Sequence, residues 1–574
     1  MADKEFESLN LRVSAGYGKS SQSLNVLNGA FAGIEWQPLP FMQLVGEYDA
    51  SAVNAGVKLF TPQGLLPYGA QLSMDYMVQT EHDSKKDNVW GVNASIPLMG
   101  YNQLTYAKPD YQTAEYQQTA LAQALDNQLA EHKGANLTSL ISALKNEGFI
   151  NINVGYRNNK IVVALENRRY NHNQIDGVGV ALAMIAAKAG QDAFADMNAM
   201  VDRRTNAQQA THAKQLPQEI ELILLVNDIP MLSVNTEVQC YRDFLATGNK
   251  CNSLNFNTLN AKKDYQATQW IFETINNGFG RSQLILSPTL SHRTATEYGF
   301  FDYSLALATN LYTPLWQGAA IDVRYLLPIA NSDDYEEGRL WHSSAYENEV
   351  DRALFHQAFK LPQNIMSQFS AGYIMGNYWG AANETQWSSP EGRHNVGVEL
   401  SKFTPIDELT NTGYRIKDQQ SLLASYRYSL PEYDWQISLQ GGEYMQGDRG
   451  FKVTSSHWLG NTRVDASYLS AKPKNGQGFE NFIGLSFSIP LTPWRDMKPG
   501  YLQVRGIDQF SYTIQTRVGN NANHINTGLG QSFKLQHSIE RQYDNQGRMS
   551  VAYFNANVQG LRNAYLRYIK QTKL

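Results

Sequence analysis

The chain has 574 residues, a net charge of −5 and 18% charged residues, so it lacks the basic profile of a nucleic-acid-binding protein. Its mean hydropathy is −0.42, and no stretch approaches the roughly 18 consecutive apolar residues of a transmembrane helix. The longest apolar run, 178–187, ends at Lys188 and is interpreted as one buried helix. This length exceeds one ordinary domain and predicts two or three.

Residues 1–100 contain about six short segments in which apolar and polar side chains alternate, which is typical of strands with one apolar face. Six strands are fewer than the about eight of the smallest membrane barrel, so we expect a first barrel truncated at its N-terminus. The opening residues lack the apolar region of a signal peptide, which favours a mature or truncated sequence. The predicted strands are 9–17, 30–36, 42–49, 53–60, 71–79 and 89–98.

The composition changes after residue 100, and residues 101–265 predict a small α+β module. Residues 111–132 are rich in good helix formers, and Asn136 is positioned to cap a second helix. A strand–strand–helix pattern then occurs twice, first around the Asn158-Asn159 turn and again around the Asn227-Asp228 turn. The predicted helices of these repeats are 178–189 and 238–245.

Residues 266–574 return to strand alternation, with about fourteen candidates, including one at 549–554. In residues 481–491, Ile483, Leu485 and Phe487 occupy one face, while Ser486 and Ser488 occupy the other. This segment also repeats an earlier one: GVNASIPL at 91–98 matches GLSFSIPL at 484–491 in Gly, Ser, Ile, Pro and Leu. The match favours a duplicated barrel.

The sequence therefore predicts a mainly β fold with two antiparallel transmembrane β-barrels, the first truncated, separated by a small periplasmic α+β module. The predicted boundaries are 1–100 for part of the N-terminal barrel, 101–265 for the module and 266–574 for the C-terminal barrel.

Three segments carry a family resemblance. FAGIEWQP at 31–38 followed by LVGEYD at 44–49, GEYMQGDRG at 442–450, and the segment 484–491 resemble the strand motifs of the YjbH-like family. This resemblance implies an outer-membrane protein of a Gram-negative bacterium, encoded with exopolysaccharide or group 4 capsule genes, that assists export of the polymer. The chain departs from the family in lacking its signal peptide and in ending without a terminal Phe.

No catalytic or metal-binding pattern is present in the sequence. Gly177-Val178-Gly179 lacks the third glycine of a dinucleotide-binding loop, and the histidines are scattered. The acidic run 333–337 could bind Ca²⁺ but is better interpreted as a solvated loop. We therefore predict no enzymatic activity, cofactor or metal.

Two other groups of residues are candidates for specific roles. Cys240 and Cys251 are the only cysteines and predict a disulfide in an oxidising compartment, the alternative being two unrelated buried thiols. Aromatic and charged side chains at strand ends could contact sugars at the lumen or rim of a barrel, or form the aromatic girdles that every membrane barrel needs. The candidate sugar contacts are Tyr48, Asp49, Tyr444, Asp448 and Arg449.

The function predicted from these observations is non-enzymatic export of exopolysaccharide or capsule across the outer membrane. The expected partners are the polysaccharide, outer-membrane lipid and periplasmic export proteins that dock on the module, with no nucleic acid. One alternative is a general porin or a structural envelope protein. A weaker alternative is a polysaccharide-modifying enzyme.

Overall fold

The computed structural model describes most of the chain, and the described residues form two compact units, 1–108 and 109–574. Strands dominate both units, so the fold is mainly β as predicted. Among the described residues, no helix combines the length and hydropathy that a membrane crossing requires. The described residues are 2–6, 9–19, 29–39, 41–48, 50, 53–61, 71–80, 88–95, 137–158, 160–189, 219–294, 296, 298–407, 417–476, 478–492, 496–519, 528–533 and 535–570.

The first unit contains a seven-stranded antiparallel sheet in which each strand pairs with the next. The six predicted strands are confirmed, and one further strand precedes them. The strands are β1 (Ala2–Phe6), β2 (Leu11–Gly18), β3 (Gly29–Leu39), β4 (Met42–Tyr48), β5 (Val53–Phe60), β6 (Gln71–Thr80) and β7 (Asn88–Ser95).

The two faces of this sheet differ in polarity and exposure. On β5, Val53 and Val57 are exposed, whereas Asn54 between them is only 3% exposed. Polar side chains on the other face pair across strands: the Asn54 amide donates to Glu47 at 3.2 Å. Because successive strand residues point to opposite faces, the alternation seen in the sequence places apolar groups outward.

The second unit begins with the α+β module, whose six-stranded sheet has the order β12-β11-β10-β9-β8-β13. Both predicted hairpins and both of their helices are confirmed, and the two repeats join through parallel pairing of β9 with β10. The helix predicted at 111–132 lies outside the described residues. The elements are α1 (Leu137–Glu147), β8 (Ile150–Arg157), β9 (Lys160–Glu166), α2 (Gln174–Lys188), β10 (Glu219–Val226), β11 (Ile229–Glu237), α3 (Val238–Thr247), β12 (Asn255–Asn257), α4 (Ala261–Ala267) and β13 (Gln269–Ile275).

Local sequence explains how the module helices begin and end. Asn173 caps α2 by accepting a hydrogen bond from the Ile175 N–H at 3.1 Å. Gly248 ends α3 in the left-handed conformation that glycine favours. Cys240 on α3 is bonded to Cys251, with their Cα atoms 5.4 Å apart, which confirms the predicted disulfide.

A fourteen-stranded sheet follows the module, and its strands from β14 to β25 pair consecutively and antiparallel. The strands are β14 (Ser282–Thr294), β15 (Phe301–Pro314), β16 (Ala319–Asn331), β17 (Glu349–Leu361), β18 (Ile365–Ile374), β19 (Tyr378–Ser388), β20 (His394–Pro405), β21 (Gln419–Leu430), β22 (Trp435–Glu443), β23 (Arg449–Leu459), β24 (Thr462–Lys472), β25 (Glu480–Ile489), β26 (Leu502–Gly506) and β27 (Phe510–Val518).

The two outermost strands of this sheet are neighbours in the chain. β26 pairs in parallel with β14, and β27 pairs antiparallel with β25. Ile507, between them, donates its N–H to Leu286 O at 3.0 Å, and its carbonyl accepts from Leu491 N–H at 2.9 Å. One short stretch of chain therefore hydrogen-bonds to both ends of the row of twelve strands.

The connections at the two ends of the sheet differ in length. At the end beside the module, the turns 315–318, 362–364, 389–393, 431–434 and 460–461 contain two to five residues. Gly318 in the first of these donates its N–H to Asn227 O of the module at 2.8 Å. The opposite end carries the longer connections 332–348 and 406–418 as well as the short connection 375–377, and the connection 490–501 at the module end is also longer. The five short turns named above and the module therefore lie at the same end of the sheet.

The C-terminal segment leaves the sheet and returns to the module. It forms α5 (Ile539–Gln542), α6 (Val551–Ala556) and α7 (Val558–Tyr565), so the strand predicted at 549–554 is wrong. Ser550 caps α6 by accepting from the Tyr553 N–H at 3.1 Å, a local signal that short alternation concealed.

Helices α6 and α7 complete the core of the module. Phe554 and Leu561 are fully buried in the same apolar cluster as α1, α2 and α3. The sequence-based boundary, which placed 266–574 in one barrel, therefore assigned part of the module core to the wrong domain. The physical reason is a contact between segments hundreds of residues apart, which local patterns do not reveal.

A buried lysine joins the fourteen-stranded sheet to the module. The side chain of Lys360, at the end of β17, is 4% exposed. Its ammonium group donates to the carbonyls of Pro230 at 3.1 Å, Met231 at 3.0 Å and Thr258 at 2.7 Å. A buried charge is stable only when its hydrogen bonds are made, so this contact sets the position of β11 and β12 against the sheet.

Replacing Lys360 with Met should loosen this junction by about 2 kcal/mol, because the buried carbonyls lose a charged donor. Hydrogen exchange of β11 amides in the full chain should accelerate about thirtyfold. Lys472→Met, at an exposed strand end, is the matched control and should change the free energy by less than about 0.5 kcal/mol. Equal exchange in the two variants would contradict the assigned role of Lys360.

Removing the disulfide with Cys240→Ala/Cys251→Ala should destabilise α3 by about 2–3 kcal/mol in the chain-entropy model. Hydrogen exchange of α3 amides in the full chain measures this change. Mass spectrometry of unreduced protein from the native envelope should also find the two cysteines linked, and free thiols there would contradict the pairing.

Candidate functional site: the polar face of the fourteen-stranded sheet

The fourteen-stranded sheet buries its polar side chains and exposes its apolar ones. On β15, Phe301 and Leu311 are 40% and 39% exposed, whereas Ser304 and Asn310 are 0% and 2% exposed. A sheet that folds in water shows the reverse arrangement. The polar side chains on the buried face are therefore the groups of this sheet that can bind a ligand. We call this face the polar face.

Residues 528–533 and 535–550 lie along the polar face and contact strands from β15 to β24. We call this stretch the C-terminal thread. At the end far from the module, the Gly530 N–H donates to Asp448 Oδ2 at 2.8 Å, and Gln531 O accepts from the Met445 N–H at 3.0 Å. Further along, the Phe533 N–H donates to Glu399 Oε1 at 3.0 Å.

The middle of the thread is held by a group of charged and amide side chains around His537. Its ring stacks on Tyr312 with the centroids 4.1 Å apart, and its Nε2 lies 3.1 Å from the Asn310 amide. Its carbonyl accepts from the Gln368 side chain at 2.7 Å. Asp322, which is fully buried, lies 3.5 Å from the same ring nitrogen.

Nearer the module, an ion pair and amide contacts fasten the thread. Arg427 of β21 pairs with Asp544 of the thread. Arg463 of β24 donates to Gln546 Oε1 at 2.6 Å. The guanidinium of Arg548 then stacks over Trp458, 3.8 Å from the ring centroid, and donates to His172 O of the module at 2.6 Å. The thread therefore runs the length of the polar face and ends in the module.

A cavity of about 480 Å³ remains between the polar face and the thread. Its walls combine hydroxyl, amide and charged groups, and Ser538 and Gln536 of the thread form part of them. Such a mixture of donors and acceptors suits ligands with many hydroxyl groups. Representative sheet residues of the wall are Gln386, Asn395, Ser425, Gln440, Thr454, Ser467, Ser486 and Thr513.

The acidic side chains of the cavity wall are engaged with the protein itself. Glu384 accepts from the Ile539 N–H at 2.9 Å, as Glu399 does from Phe533. Asp465 pairs with Arg463 at 3.0 Å. These carboxylates position the thread and the wall. Among the described residues, no group of His, Cys, Asp and Glu is arranged to hold a metal ion.

The candidate sugar contacts predicted from the sequence lie in different places. Tyr48 is 43% exposed at the end of β4 in the first unit, and Asp49 lies outside the described residues. The other three candidates, Tyr444, Asp448 and Arg449, belong to the second unit and lie at the end of the sheet far from the module. Tyr444 and Asp448 are buried beside the thread, at 0% and 1% exposure, whereas the side chain of Arg449 is 77% exposed and pairs with Glu443 at 2.7 Å.

Their exposure determines what each could contact. Arg449 and Tyr48 are accessible, whereas a ligand would reach Tyr444 and Asp448 only after the thread moved. Sequence reasoning missed the thread because Phe533, Leu535 and His537 alternate with polar residues as a strand does. The sequence feature that could have indicated a buried segment was the presence of polar side chains, Ser304 and Asn310 among them, on one face of β15.

A second cavity, of about 230 Å³, lies where the module meets the sheet. Glu166 accepts from Arg168 Nε at 2.7 Å and from the Asp228 N–H at 3.2 Å, and it shares this cavity with Asp228. Burial, and then the neighbouring Glu166 charge, raise the pKa of the Asp228 carboxyl to about 6. Trp316 and Phe279 on its rim are 58% and 62% exposed.

Comparison with known proteins gives one family. The sequence model of the family described as "Exopolysaccharide biosynthesis protein YbjH" matches residues 2–494. The match spans both units and ends just before β26, so the thread lies beyond it. No curated protein matches the chain.

Proposed function

Because the chain belongs to the YjbH family of exopolysaccharide biosynthesis proteins, we propose that it assists export of exopolysaccharide or capsule across the outer membrane. The observation that carries this proposal is the reversed polarity of the fourteen-stranded sheet, whose apolar face is exposed and whose polar face encloses a hydrophilic cavity. Lipid is the solvent that an exposed apolar strand face requires.

The sheet is proposed to form a closed barrel of thirteen strands. Twelve antiparallel strands run from β14 to β25, and the stretch containing β26 and β27 is the thirteenth. With an odd number, the last strand runs in the same direction as the first, which accounts for the parallel pairing of β26 with β14. Closure would leave no unpaired backbone edge in the bilayer.

The seven-stranded sheet of the first unit has the same polarity and is proposed to be part of a second barrel. Ile34 and Trp36 of β3 are 47% and 46% exposed, whereas charged and amide groups of the opposite face pair with one another, as Gln43 does with Glu35 at 3.2 Å. This arrangement supports the two-barrel prediction from the sequence.

The module is proposed to lie in the periplasm. In membrane barrels, the short turns lie on the periplasmic side and the longer loops outside. The module sits against the short turns, and its disulfide requires an oxidising compartment. It would there be available to periplasmic export partners.

The role is proposed to be non-enzymatic. The wall carboxylates are engaged in holding the thread, and the hydroxyl and amide groups that remain suit a polysaccharide rather than a reaction centre. A general porin is the second candidate, since the cavity is hydrophilic, but a thread along the polar face opposes a steadily open channel.

Adjacent residues on β25 test whether the exposed face meets lipid. Leu485 is 61% exposed, and Ser486 faces the cavity. Leu485→Arg should cost about 2–4 kcal/mol near the bilayer midplane, whereas the same change in water would cost less than about 0.5 kcal/mol. Urea unfolding in lipid vesicles measures it, with Ser486→Arg as the matched change on the opposite face. A tolerated Leu485→Arg would contradict the membrane barrel.

Deleting the gene should abolish surface polysaccharide, and the intact chain should restore it. Complementation with Ser425→Trp, which places a bulky ring in the cavity, should restore much less polymer at equal protein level. Val396→Trp, on the exposed face and outside the cavity wall, is the control. Unchanged surface polymer after the deletion, with neighbouring genes expressed normally, would contradict a role in export.

A further inference from the structure

The C-terminal thread occupies the space that a polymer would need. It contacts side chains of β15, β18, β19, β20, β21 and β24, which lie around the whole sheet. Several of these contacts bind the thread backbone, at Gly530, Phe533, His537 and Ile539, so they place the segment independently of its own side chains. A segment held in this manner lies within the lumen of the proposed barrel.

The contacts of the thread are polar along most of its length. Those of Phe533 and Leu535 with Phe403, Leu354 and Met445 form a small apolar cluster near the far end. Nearer the module, Ile539, Tyr543 and Met549 are buried in the apolar cluster of the module. At most other positions the thread is held by hydrogen bonds and ion pairs that water could replace. A segment with many exchangeable contacts can leave a hydrated lumen at lower cost than one packed along its whole length in an apolar core.

The same segment continues into the module through α7. Helix α7 packs so closely on α2 that a Cβ added at Gly179 would lie 2.4 Å from Leu561 O. Arg562 of α7 also donates to Leu245 O at 2.8 Å and Ala246 O at 3.1 Å, at the end of α3. Because the chain continues from the thread through α6 into α7, a movement of α7 on the module would therefore displace the thread.

We propose that the C-terminal thread forms a releasable plug of the lumen and that helix α7 couples its release to the periplasmic module. This inference rests on the proposed function and adds the regulation of its passage. A closed lumen keeps the envelope sealed when no polymer is being exported. A partner acting on the module then has a mechanical connection to the plug.

One variant tests the contact between thread and wall, and a second variant tests the contact between α7 and the module. Arg427→Gln/Asp544→Asn removes the ion pair between wall and thread while keeping side-chain size. Its matched control is Arg449→Gln/Glu443→Gln, which removes an ion pair at the rim of the same sheet. Gly179→Leu forces α7 away from α2 without altering the sheet, and Ser142→Leu on the exposed side of α1 is its control.

Ion conductance of the full chain in planar bilayers is the first measurement. The wild-type protein and both controls should remain mostly closed, whereas Arg427→Gln/Asp544→Asn and Gly179→Leu should open at least tenfold more often. The second measurement is labelling of Ser538→Cys, in the cavity wall, by a membrane-impermeant maleimide. The native cysteines are bonded to each other, so the introduced thiol is the one that reacts. Labelling is measured on the folded protein, which is recognised by a gel mobility that changes on heating. It should be faster in Arg427→Gln/Asp544→Asn and in Gly179→Leu than in the controls.

The outcomes distinguish this inference from the proposed function. A wild-type chain that conducts as often as Arg427→Gln/Asp544→Asn, with equal labelling, would overturn the plug. A Gly179→Leu channel that behaves as wild type would overturn the coupling. Both probes are independent of polysaccharide, so either result leaves the export role to be decided by the deletion experiment. Failure of every variant to insert into bilayers would overturn both proposals.

Discussion

The need to satisfy polar groups on the buried face of the fourteen-stranded sheet governs the second unit. Asp322, Arg352 and His356 have side chains that are almost fully buried, and a buried charge without partners is costly. Arg352 pairs with Asp322 at 2.8 Å and donates to Asn310 at 2.8 Å, and His356 contacts Ser370 at 2.8 Å. Partners from neighbouring strands and from the thread make this polar interior possible.

The thread follows from that constraint. Carboxylates such as Glu384 and Glu399 point into the polar face, where each accepts a backbone N–H of the thread. The apolar side chains of the thread meet apolar partners: Phe533 and Leu535 contact the small apolar patch near Phe403, and Ile539, Tyr543 and Met549 are buried in the apolar cluster of the module. Wall and thread are therefore complementary, and neither would be satisfied in the same way without the other.

The module and the sheet are linked by the same chemistry. Lys360 places a charge among module carbonyls, Asn227 contacts the Tyr312 and Tyr543 hydroxyls, and Arg548 bridges Trp458 and the module backbone. These contacts involve the sheet, the module and the thread together. A change in one can therefore affect the other two, which is the physical basis for the proposed coupling of the thread to the module.

The sequence alone determined the local structure of this protein. Period-two alternation identified the strands of the first unit and the two faces of residues 481–491, since the pleat places alternate residues on opposite faces. The spacing of Cys240 and Cys251 predicted their disulfide, and the resemblance of three short segments predicted the family. The tertiary structure alone decided the course of the C-terminal segment and the burial of Tyr444 and Asp448. Each of these depends on contacts between residues distant in the chain, such as Phe533 with Phe403 and Leu561 with Gly179. Such contacts cannot be read from the local periodicity of the sequence.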